Sequence, residues 1–237
     1  MNRRNFIRVL GGGAVAASAA GLAACSEQFP AEAVAPWLGP QAENDLRRWA
    51  LGYAILAPNS HNRQPWLVDL SQRDAIVLYV DRQRMLPETD PWYRQIVVSQ
   101  GTFIESLVIA LKERGIAPTV ALFPEGEFEP RQVDSRPVAR ISWTVGAAAP
   151  PRDPLFAQLL LRHTAKVAYD TTREVKPATL QMLRDAVADL AADAPVRFGS
   201  TIEPALRDEL RKLCWESAKA ELLTPRTVME RDRKSVV

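Results

Sequence analysis

Cysteine and histidine are scarce in this chain of 237 residues, which contains two of each. A protein zinc site needs several converging ligands, and no closely spaced set of cysteines and histidines is present. The G-x-G-x-x-G and G-x-x-x-x-G-K-[ST] phosphate loops are absent, as is the G-x-S-x-G elbow of hydrolases. These absences argue against a metal centre and exclude the commonest nucleotide-binding loops.

An excess of charge of one sign is also missing. The chain has 30 lysine and arginine residues against 28 aspartate and glutamate residues, and the two signs are mixed after residue 40. A protein that binds nucleic acid usually carries a basic patch, so no nucleic-acid partner is expected. A hydrophobic content of 47% suits a chain with a globular core.

The first 25 residues, MNRRNFIRVLGGGAVAASAAGLAAC, resemble an export signal. Arg3 and Arg4 precede a weakly hydrophobic stretch, as in twin-arginine signals, and LAAC at 22–25 resembles a lipoprotein cleavage site. We predict that residues 1–24 are removed and that Cys25 is lipidated, which gives a periplasmic or cell-envelope lipoprotein held to the membrane by lipid alone. A plain signal peptide is the alternative, whereas a transmembrane helix is disfavoured because the uncharged run is short.

Removal of this signal changes two properties of the chain. The net charge falls from +2 to −1 because Arg3, Arg4 and Arg8 are lost. With Cys25 lipidated, Cys214 is the remaining cysteine, so no internal disulfide is expected. The twin-arginine route exports proteins that are already folded, often with a cofactor inserted, and this favours a bound cofactor.

Proline and turn residues divide the rest of the chain. Residues 25–40 contain three prolines and are predicted to form a tether. The stretch GAAAPPRDP at 146–154 is a predicted linker between a first half, 41–149, and a second half, 150–237. Because the last residues, MERDRKSVV at 229–237, add no strand to match those of the first half, we expect the second half to be incomplete.

Hydrophobic periodicity predicts an α+β fold with a sheet and flanking helices. Spacings of three and four residues predict helices over 43–56, 96–115, 153–163, 177–192 and 203–223. Short runs rich in β-forming residues predict strands over 66–70, 75–80, 119–124, 138–143 and 196–200. The first helix is expected to end before Pro58, because the residue ahead of a proline disfavours the helical region.

The loop APNSHNRQPW, residues 57–66, gathers neutral hydrogen-bonding side chains between two prolines. Such groups suit the polar edge of a flat ligand, although an ordinary polar loop is the simpler interpretation. Ser60 precedes His61, but neighbours in one loop rarely let the imidazole reach the hydroxyl proton. A Ser–His hydrolase is therefore disfavoured.

A second polar stretch, LLLRHTAKVAYD, spans residues 159–170. Its guanidinium, ammonium and hydroxyl groups suit a phosphate, and they belong to Arg162, Lys166 and Thr164, with His163 between them. On its own this stretch is more simply interpreted as the solvated face of a helix.

Together the two stretches resemble the signatures of the nitroreductase superfamily of FMN-dependent enzymes. The 57–66 loop is similar to its Pro-Ser-x-x-Asn-x-Gln-Pro-Trp motif, and RHTAK is similar to its Arg-x-Ser-x-Arg/Lys segment. The reversed order of the motifs, together with residues 90–115, resembles the twin-arginine-signal, Acg-like branch of the superfamily. That branch implies two nitroreductase-like halves in one chain, a monomeric intramolecular pseudo-dimer.

The resemblance implies FMN as the cofactor and assigns residues to it. Arg162, Thr164 and Lys166 would hold the phosphate and ribityl chain, with His163 adding contacts. The residues implied at the isoalloxazine ring are Pro58, Asn59, Ser60, Asn62 and Gln64. Asn59 stands where the family usually has serine, and no counterpart of the carboxyl-terminal basic residues of classical members is visible. Trp66 is expected to pack in the core.

The function implied is reduction of small nitro, quinone or related acceptors with electrons from NAD(P)H. Lys166 or His61 is a candidate for stabilising reduced flavin. The alternative is an exported lipoprotein that binds or sequesters FMN without turnover, because nicotinamide donors are scarce outside the cytoplasm. A third hypothesis is a structural lipoprotein without a cofactor.

Overall fold

The computed structural model describes residues 31–165, 167–190 and 197–234. Its helices are α1 (Ala31–Val34), α2 (Leu46–Ala54), α3 (Arg94–Glu113), α4 (Pro177–Leu190), α5 (Pro204–Leu223) and α6 (Pro225–Lys234). Its strands are β1 (Trp66–Asp69), β2 (Ala75–Val80), β3 (Thr119–Leu122) and β4 (Ala139–Ser142). The predicted signal peptide, the lipidation site Cys25 and the side chain of Lys166 lie outside the described residues.

The four strands form one antiparallel sheet in the order β1-β2-β4-β3. Leu67 lies opposite Tyr79 in the β1–β2 pair, and Ile76 lies opposite Ile141 in the β2–β4 pair. The inner strand β2 is buried almost throughout, as a run of apolar residues predicts. The prediction of a mixed α+β fold is thus confirmed.

The core lies where α2 and α3 pack against each other and against the sheet. Trp49 of α2 and Phe103 and Leu107 of α3 are buried there with Ile76 and Ile141 of the sheet. A smaller cluster surrounds Leu86 and Ile96, beyond the end of β2. The amino-terminal part of α3 therefore contacts the second cluster, and its middle contacts the first.

Two predicted elements differ from the structure. In place of a helix over 153–163, there is a 3-10 segment, Pro154–Gln158, followed by a turn. Phe156 in this segment stacks on Trp49 and Tyr53, and these tertiary contacts outweigh the weak tendency of a short sequence to form a helix. Residues 197–200 form no strand, because no described strand pairs with them.

The predicted tether also differs in its described part, because residues 31–40 pack on the fold. Pro40 lies against Gly52 of α2, where an added Cβ would come within 2.8 Å of the proline Cβ. Gly39 has a φ of 77°, which favours glycine, and lies against Leu160. The two prolines of this described part, Pro36 and Pro40, stiffen it without keeping it extended.

The second half packs more loosely than the first. The 20-residue helix α5 contains no buried residue, and the described residues after 150 include no strand. The end of this half is fastened by Glu230 of α6, which accepts hydrogen bonds from the Thr89 backbone N–H (2.8 Å) and hydroxyl (2.6 Å). Within the described ranges, no helix combines the length and the apolar character needed to cross a bilayer.

Candidate functional site

The 57–66 loop begins where α2 ends and leads into β1. Three of its residues that are not glycine have left-handed backbone angles: His61 (φ 49°), Asn62 (φ 51°) and Gln64 (φ 48°). Such angles cost free energy for residues with a Cβ and persist only where surrounding contacts enforce them. The contacts that hold this loop are therefore the first feature of the site.

Asn59 braces the loop from within. Its amide nitrogen donates to the carbonyl of Ala57 at 3.1 Å, and its amide oxygen accepts from the backbone N–H of Gln64 at 2.7 Å. The side chain thus closes a turn of six residues, from 59 to 64. An asparagine amide has both a donor and an acceptor for this task, whereas serine has a shorter reach.

Helix α3 braces the loop from outside. The backbone N–H of Ser60 donates to the hydroxyl of Ser99 at 3.1 Å, and the Ser60 hydroxyl donates to the side-chain oxygen of Gln95 at 2.7 Å. The hydroxyl of Thr102 donates to the Pro58 carbonyl at 2.6 Å. Positions 95, 99 and 102 are neighbours on one face of a helix, so one face of α3 holds the loop.

Gln100 supplies a further contact from inside the core. It is fully buried, and its amide nitrogen donates to the carbonyl of Pro65 at 2.7 Å. This role was not predicted from the sequence, and neither were the roles of Gln95, Ser99 and Thr102. The available signal was a glutamine placed in the apolar stripe of α3, because a buried amide needs a polar partner.

Arg162 approaches the same region from the second half. One of its terminal nitrogens donates to the carbonyl of Leu56 at 2.6 Å, and its guanidinium lies 5.6 Å from the ring centroid of Trp37. Burial lowers the pKa of Arg162 below its usual value. No carboxylate of the described residues pairs with this guanidinium, so a partly buried cation remains without a counter-ion.

The two predicted stretches line one cleft of about 520 Å³. A ligand pocket in a protein typically has a volume of roughly 300–1,000 Å³, so this cleft can hold a small molecule. Predicted site residues that line it are Pro58, Asn59, Asn62, Gln64, Arg162, His163 and Thr164. Ser60 is not part of its lining and contacts α3, and Lys166 lies outside the described residues.

Several polar side chains of the cleft have no partner within the described part of the chain. These are the amides of Asn62 and Gln64 and the hydroxyl of Thr164, all of them exposed. The Nδ1 atom of His163 lies 3.0 Å from the carbonyl oxygen of Leu161. The cleft thus offers amide donors and acceptors, a hydroxyl and one cation to a ligand.

Two other residues of the loop have different surroundings. His61 lies outside the cleft, in a small hollow with Thr89 and Leu222. A role for His61 in stabilising reduced flavin stays a prediction. Trp66 packs on Phe103 with ring centroids 4.9 Å apart, as expected of a core residue, and its exposed part also lines the cleft.

The described lining of the cleft combines neutral polar, apolar and cationic side chains. Among the lining residues that the structure describes, Arg162 carries a charge at neutral pH and none is a carboxylate. Among the described residues, no group of three or more histidine, cysteine, aspartate or glutamate side chains is placed to hold a metal ion. A flat molecule with a polar edge and an anionic group matches these side chains.

Comparison with known proteins identifies distant relatives, and no family model matches the chain. An uncharacterised protein of Mycobacterium tuberculosis is 31% identical over 121 residues, which is 50% of this chain and 34% of that protein. A second M. tuberculosis protein, which is named as an NAD(P)H nitroreductase, is 29% identical over 80 residues. The match covers 34% of this chain and 24% of that protein. A protein of Serratia sp., also named as an NAD(P)H nitroreductase, is 43% identical over 68 residues. The match covers 28% of this chain and 19% of that protein.

A solved nitroreductase family protein from Streptococcus pneumoniae TIGR4 aligns over 58% of this chain and 92% of its own, with 18% identity and a TM-score of 0.32. That score is too low to support an argument. The chain spans about a third or less of the length of the curated relatives it matches. It is a distant relative of proteins named as NAD(P)H nitroreductases.

Proposed function

We propose that this protein is an FMN-dependent oxidoreductase of the nitroreductase type, which reduces small nitro, quinone or related acceptors with electrons from NAD(P)H. The observation that supports this most is the cleft itself. Four residues of the 57–66 loop, Pro58, Asn59, Asn62 and Gln64, are about a hundred positions from residues 162–164, yet both groups line one space of about 520 Å³. Those are the two stretches whose sequences resemble the flavin-binding motifs.

The cationic side of the cleft fits a phosphate. Arg162 is partly buried and has no carboxylate partner in the described chain, and the Thr164 hydroxyl lines the same space. A partly buried guanidinium without a carboxylate partner among the described residues favours an anion, and its planar donors match phosphate oxygens. We assign the phosphate of FMN to Arg162 and Thr164, with Lys166 as a further cation.

The neutral side of the cleft fits the ring of a flavin. Asn62 and Gln64 carry amides without partners among the described residues, and an amide offers both a donor and an acceptor to the polar edge of the ring. Leu56, Ala57 and Trp66 provide apolar surface beside them. Asn59 and Ser60 are assigned to shaping the loop, because their side chains bond to the loop itself and to α3.

Bound FMN supplies the chemistry of moving two electrons between a nicotinamide donor and a second substrate. The residues of the chain hold and orient the groups that react. Their left-handed backbone angles and the contacts from α3 fix the 57–66 loop before a ligand arrives. A loop that is already ordered loses less conformational entropy when it binds.

The two-half organisation is part of the proposal. Arg162 lies beyond the 146–154 linker, and its hydrogen bond to Leu56 joins the second half to the first across the cleft. This contact supports a site shared between two halves of one chain, as in an intramolecular pseudo-dimer. Export by the twin-arginine route and lipidation of Cys25 remain proposals supported by the sequence of residues 1–25.

An absorbance spectrum of the full chain as purified, followed by NAD(P)H and then an acceptor such as a nitroaromatic or a quinone, tests the function. We expect a yellow protein whose flavin band bleaches with NAD(P)H and recovers with the acceptor. If the protein stays yellow after NAD(P)H is added, the oxidoreductase hypothesis is wrong and the flavin-sequestering lipoprotein is the better account. A protein that remains colourless after incubation with FMN would refute both functions.

A further inference from the structure

The stretch before α2 forms part of the wall of the cleft. Ala33, Pro36 and Trp37 line the cleft together with the 57–66 loop and Arg162. The sequence of this stretch predicts a tether, so its contribution to the cleft was not expected. Among these three residues, Trp37 has the side chain with the largest surface, and it lies next to the one cation of the lining.

The position of Trp37 is set by its neighbours in the chain. The backbone N–H of Gly39 donates to the carbonyl of Pro36 at 3.1 Å, which closes a tight turn around the tryptophan. The amide of Gln41 donates to the carbonyl of Leu38 at 2.7 Å. Beyond the turn, Pro40 packs against α2. The indole is therefore presented by an ordered segment.

Two contacts orient the guanidinium of Arg162. A terminal nitrogen donates to the Leu56 carbonyl at 2.6 Å, and the group lies 5.6 Å from the centroid of the Trp37 ring. A hydrogen bond fixes one edge of the planar group, and attraction to an aromatic ring restrains the plane itself. An arginine side chain has several rotatable bonds, so neither contact alone would define its orientation.

A similar pair elsewhere shows what an ordinary surface contact looks like. Lys219 lies 5.8 Å from the ring centroid of Trp215 on α5, where Trp215 is exposed, Lys219 is half-buried and neither residue lines the cleft. That ammonium also forms an ion pair with Glu216 at 2.8 Å. Arg162, in contrast, lines the cleft and has no acidic partner among the described residues, so Trp37 holds a cation that is available to a ligand.

We propose that Trp37 is a positioning residue for the anion-binding part of the cleft. It holds the Arg162 guanidinium where the guanidinium meets the phosphate of a flavin nucleotide, and so makes the cleft prefer FMN to riboflavin. This inference rests on the proposed function, because it takes FMN as the ligand. It adds a residue from the amino-terminal segment to a site that the two motifs alone define.

The expected effect follows from the strength of the interaction between the cation and the ring. Removing the indole should weaken FMN binding about threefold to thirtyfold, the range that corresponds to such contacts. Riboflavin has the same ring and no phosphate, so its affinity should stay unchanged. A phenylalanine at position 37 keeps an aromatic face and should restore most of the affinity for FMN.

Titration of the full chain with FMN and with riboflavin, followed by flavin fluorescence, tests this inference. The proteins to compare are the wild type, Trp37→Ala, Trp37→Phe and the control Trp215→Ala. We expect Trp37→Ala alone to lose preference for FMN. In a background of Arg162→Gln, Trp37→Ala should have no further effect on FMN binding, because its action passes through the guanidinium. Circular dichroism on each variant verifies that it is folded.

Each other outcome overturns the inference in a distinct way. Equal weakening of FMN and riboflavin by Trp37→Ala would mean that the indole supports the ring or the fold and does not position Arg162. Unchanged binding of FMN by Trp37→Ala would remove Trp37 from the site while leaving the proposed function in place. A wild-type protein that binds neither flavin would refute the proposed function itself.

Discussion

Helices α3 and α5 have the same length and very different surroundings. Each has 20 residues, yet α3 contains ten buried residues and α5 contains none. In α3 the apolar face enters the core, and a polar face holds the 57–66 loop. In α5, Leu206, Leu210 and Leu213 remain exposed.

The difference teaches what hydrophobic periodicity does and does not establish. In both helices, apolar residues recur at helical spacing, and the sequence correctly predicts a helix in both places. Only contacts distant in sequence decide whether that apolar face is covered. The first half therefore provides the ordered part of the site, and the second half reaches it through Arg162.

The largest expected effect comes from the core face of α3. Phe103→Ala should lower the free energy of unfolding by about 3–5 kcal/mol, because it leaves a cavity beneath Trp66. Leu213→Ala in α5, where the leucine is 63% exposed, should change that free energy by at most about 0.5 kcal/mol. Urea denaturation monitored by circular dichroism measures both. Similar losses for the two variants would show that α5 is packed as α3 is.

The polar contact between α3 and the loop should have the next largest effect. Gln100→Met keeps the size of the side chain and removes one of the two donors to the Pro65 carbonyl, which still accepts from the Asp81 backbone N–H, at a cost of about 0.5–1.5 kcal/mol. FMN binding should weaken as well, because the same carbonyl lies next to Trp66 in the wall of the cleft.

The matched control for Gln100 is Gln181→Met on α4, where the amide is exposed and contacts Asp185. It should leave both stability and FMN affinity unchanged. If Gln100→Met is as stable as the wild type and binds FMN as well, α3 does not hold the loop in the way described.

Loss of the Glu230 carboxylate, which binds α6 to Thr89, should have a local effect on stability. Glu230→Ala removes the acceptor for the backbone and hydroxyl of Thr89, so α6 should open more readily. Amide hydrogen exchange in α6 should then accelerate on the order of tenfold, while exchange in α3 stays slow. Glu216→Ala on α5, which removes only an exposed ion pair, serves as the control. Equal acceleration in α3 and α6 would mean that the two halves open as one unit.

The smallest expected effect concerns the carboxylates that cap two helices. The hydrogen bond from the Arg47 side chain lowers the pKa of Asp45, at the start of α2, from 3.8 to about 2. Because the pKa is lower in the folded state, the ionised carboxylate stabilises the fold above about pH 4, and this stabilisation is lost as the pH falls to about 2.

Asp45→Asn keeps a capping oxygen and removes the charge, so it isolates this contribution. The wild type should exceed it in stability by about 0.5–1 kcal/mol near neutral pH, since the ion pair is partly exposed. This difference in the free energy of unfolding should vanish near pH 2, as urea denaturation at neutral and acidic pH would show.

Hydrogen bonds from the backbone N–H groups of Leu206 and Ala205 also lower the pKa of Glu203, at the start of α5. Because that carboxyl is fully exposed, Glu203→Gln should have the weaker effect, and a difference that does not change with pH would contradict both assignments.

Much of the first half could be predicted from its sequence. The helix ahead of Pro58, the long helix ending near Gly115 and the four strands all occur close to their predicted positions. These elements have strong hydrophobic periodicity and clear end signals. Their buried residues pack mainly against other residues of the first half. The prediction of a helix over 153–163 was wrong, because Phe156 packs against Trp49 and Tyr53 of α2, which lie more than a hundred residues earlier in the sequence.

The site could be predicted only in part. The two polar stretches suggested ligand contacts, and the structure brings them together around one cleft. The contributions of Gln100 and Trp37 were not predicted, because each depends on a partner distant in the sequence, the Pro65 carbonyl in one case and Arg162 in the other. The identity of the cofactor and the reaction remain predictions from the motifs.

Calorimetric titration of the full chain with FMN is the most direct test of the claim that the two halves form one flavin site. The wild type should bind FMN, and Arg162→Gln should bind it about tenfold more weakly or worse, because a charged hydrogen-bond donor is lost. Arg152→Gln, at an exposed arginine outside the cleft lining, should bind as the wild type does. Failure of the wild type to bind FMN, or equal affinity of the wild type and Arg162→Gln, would contradict the account.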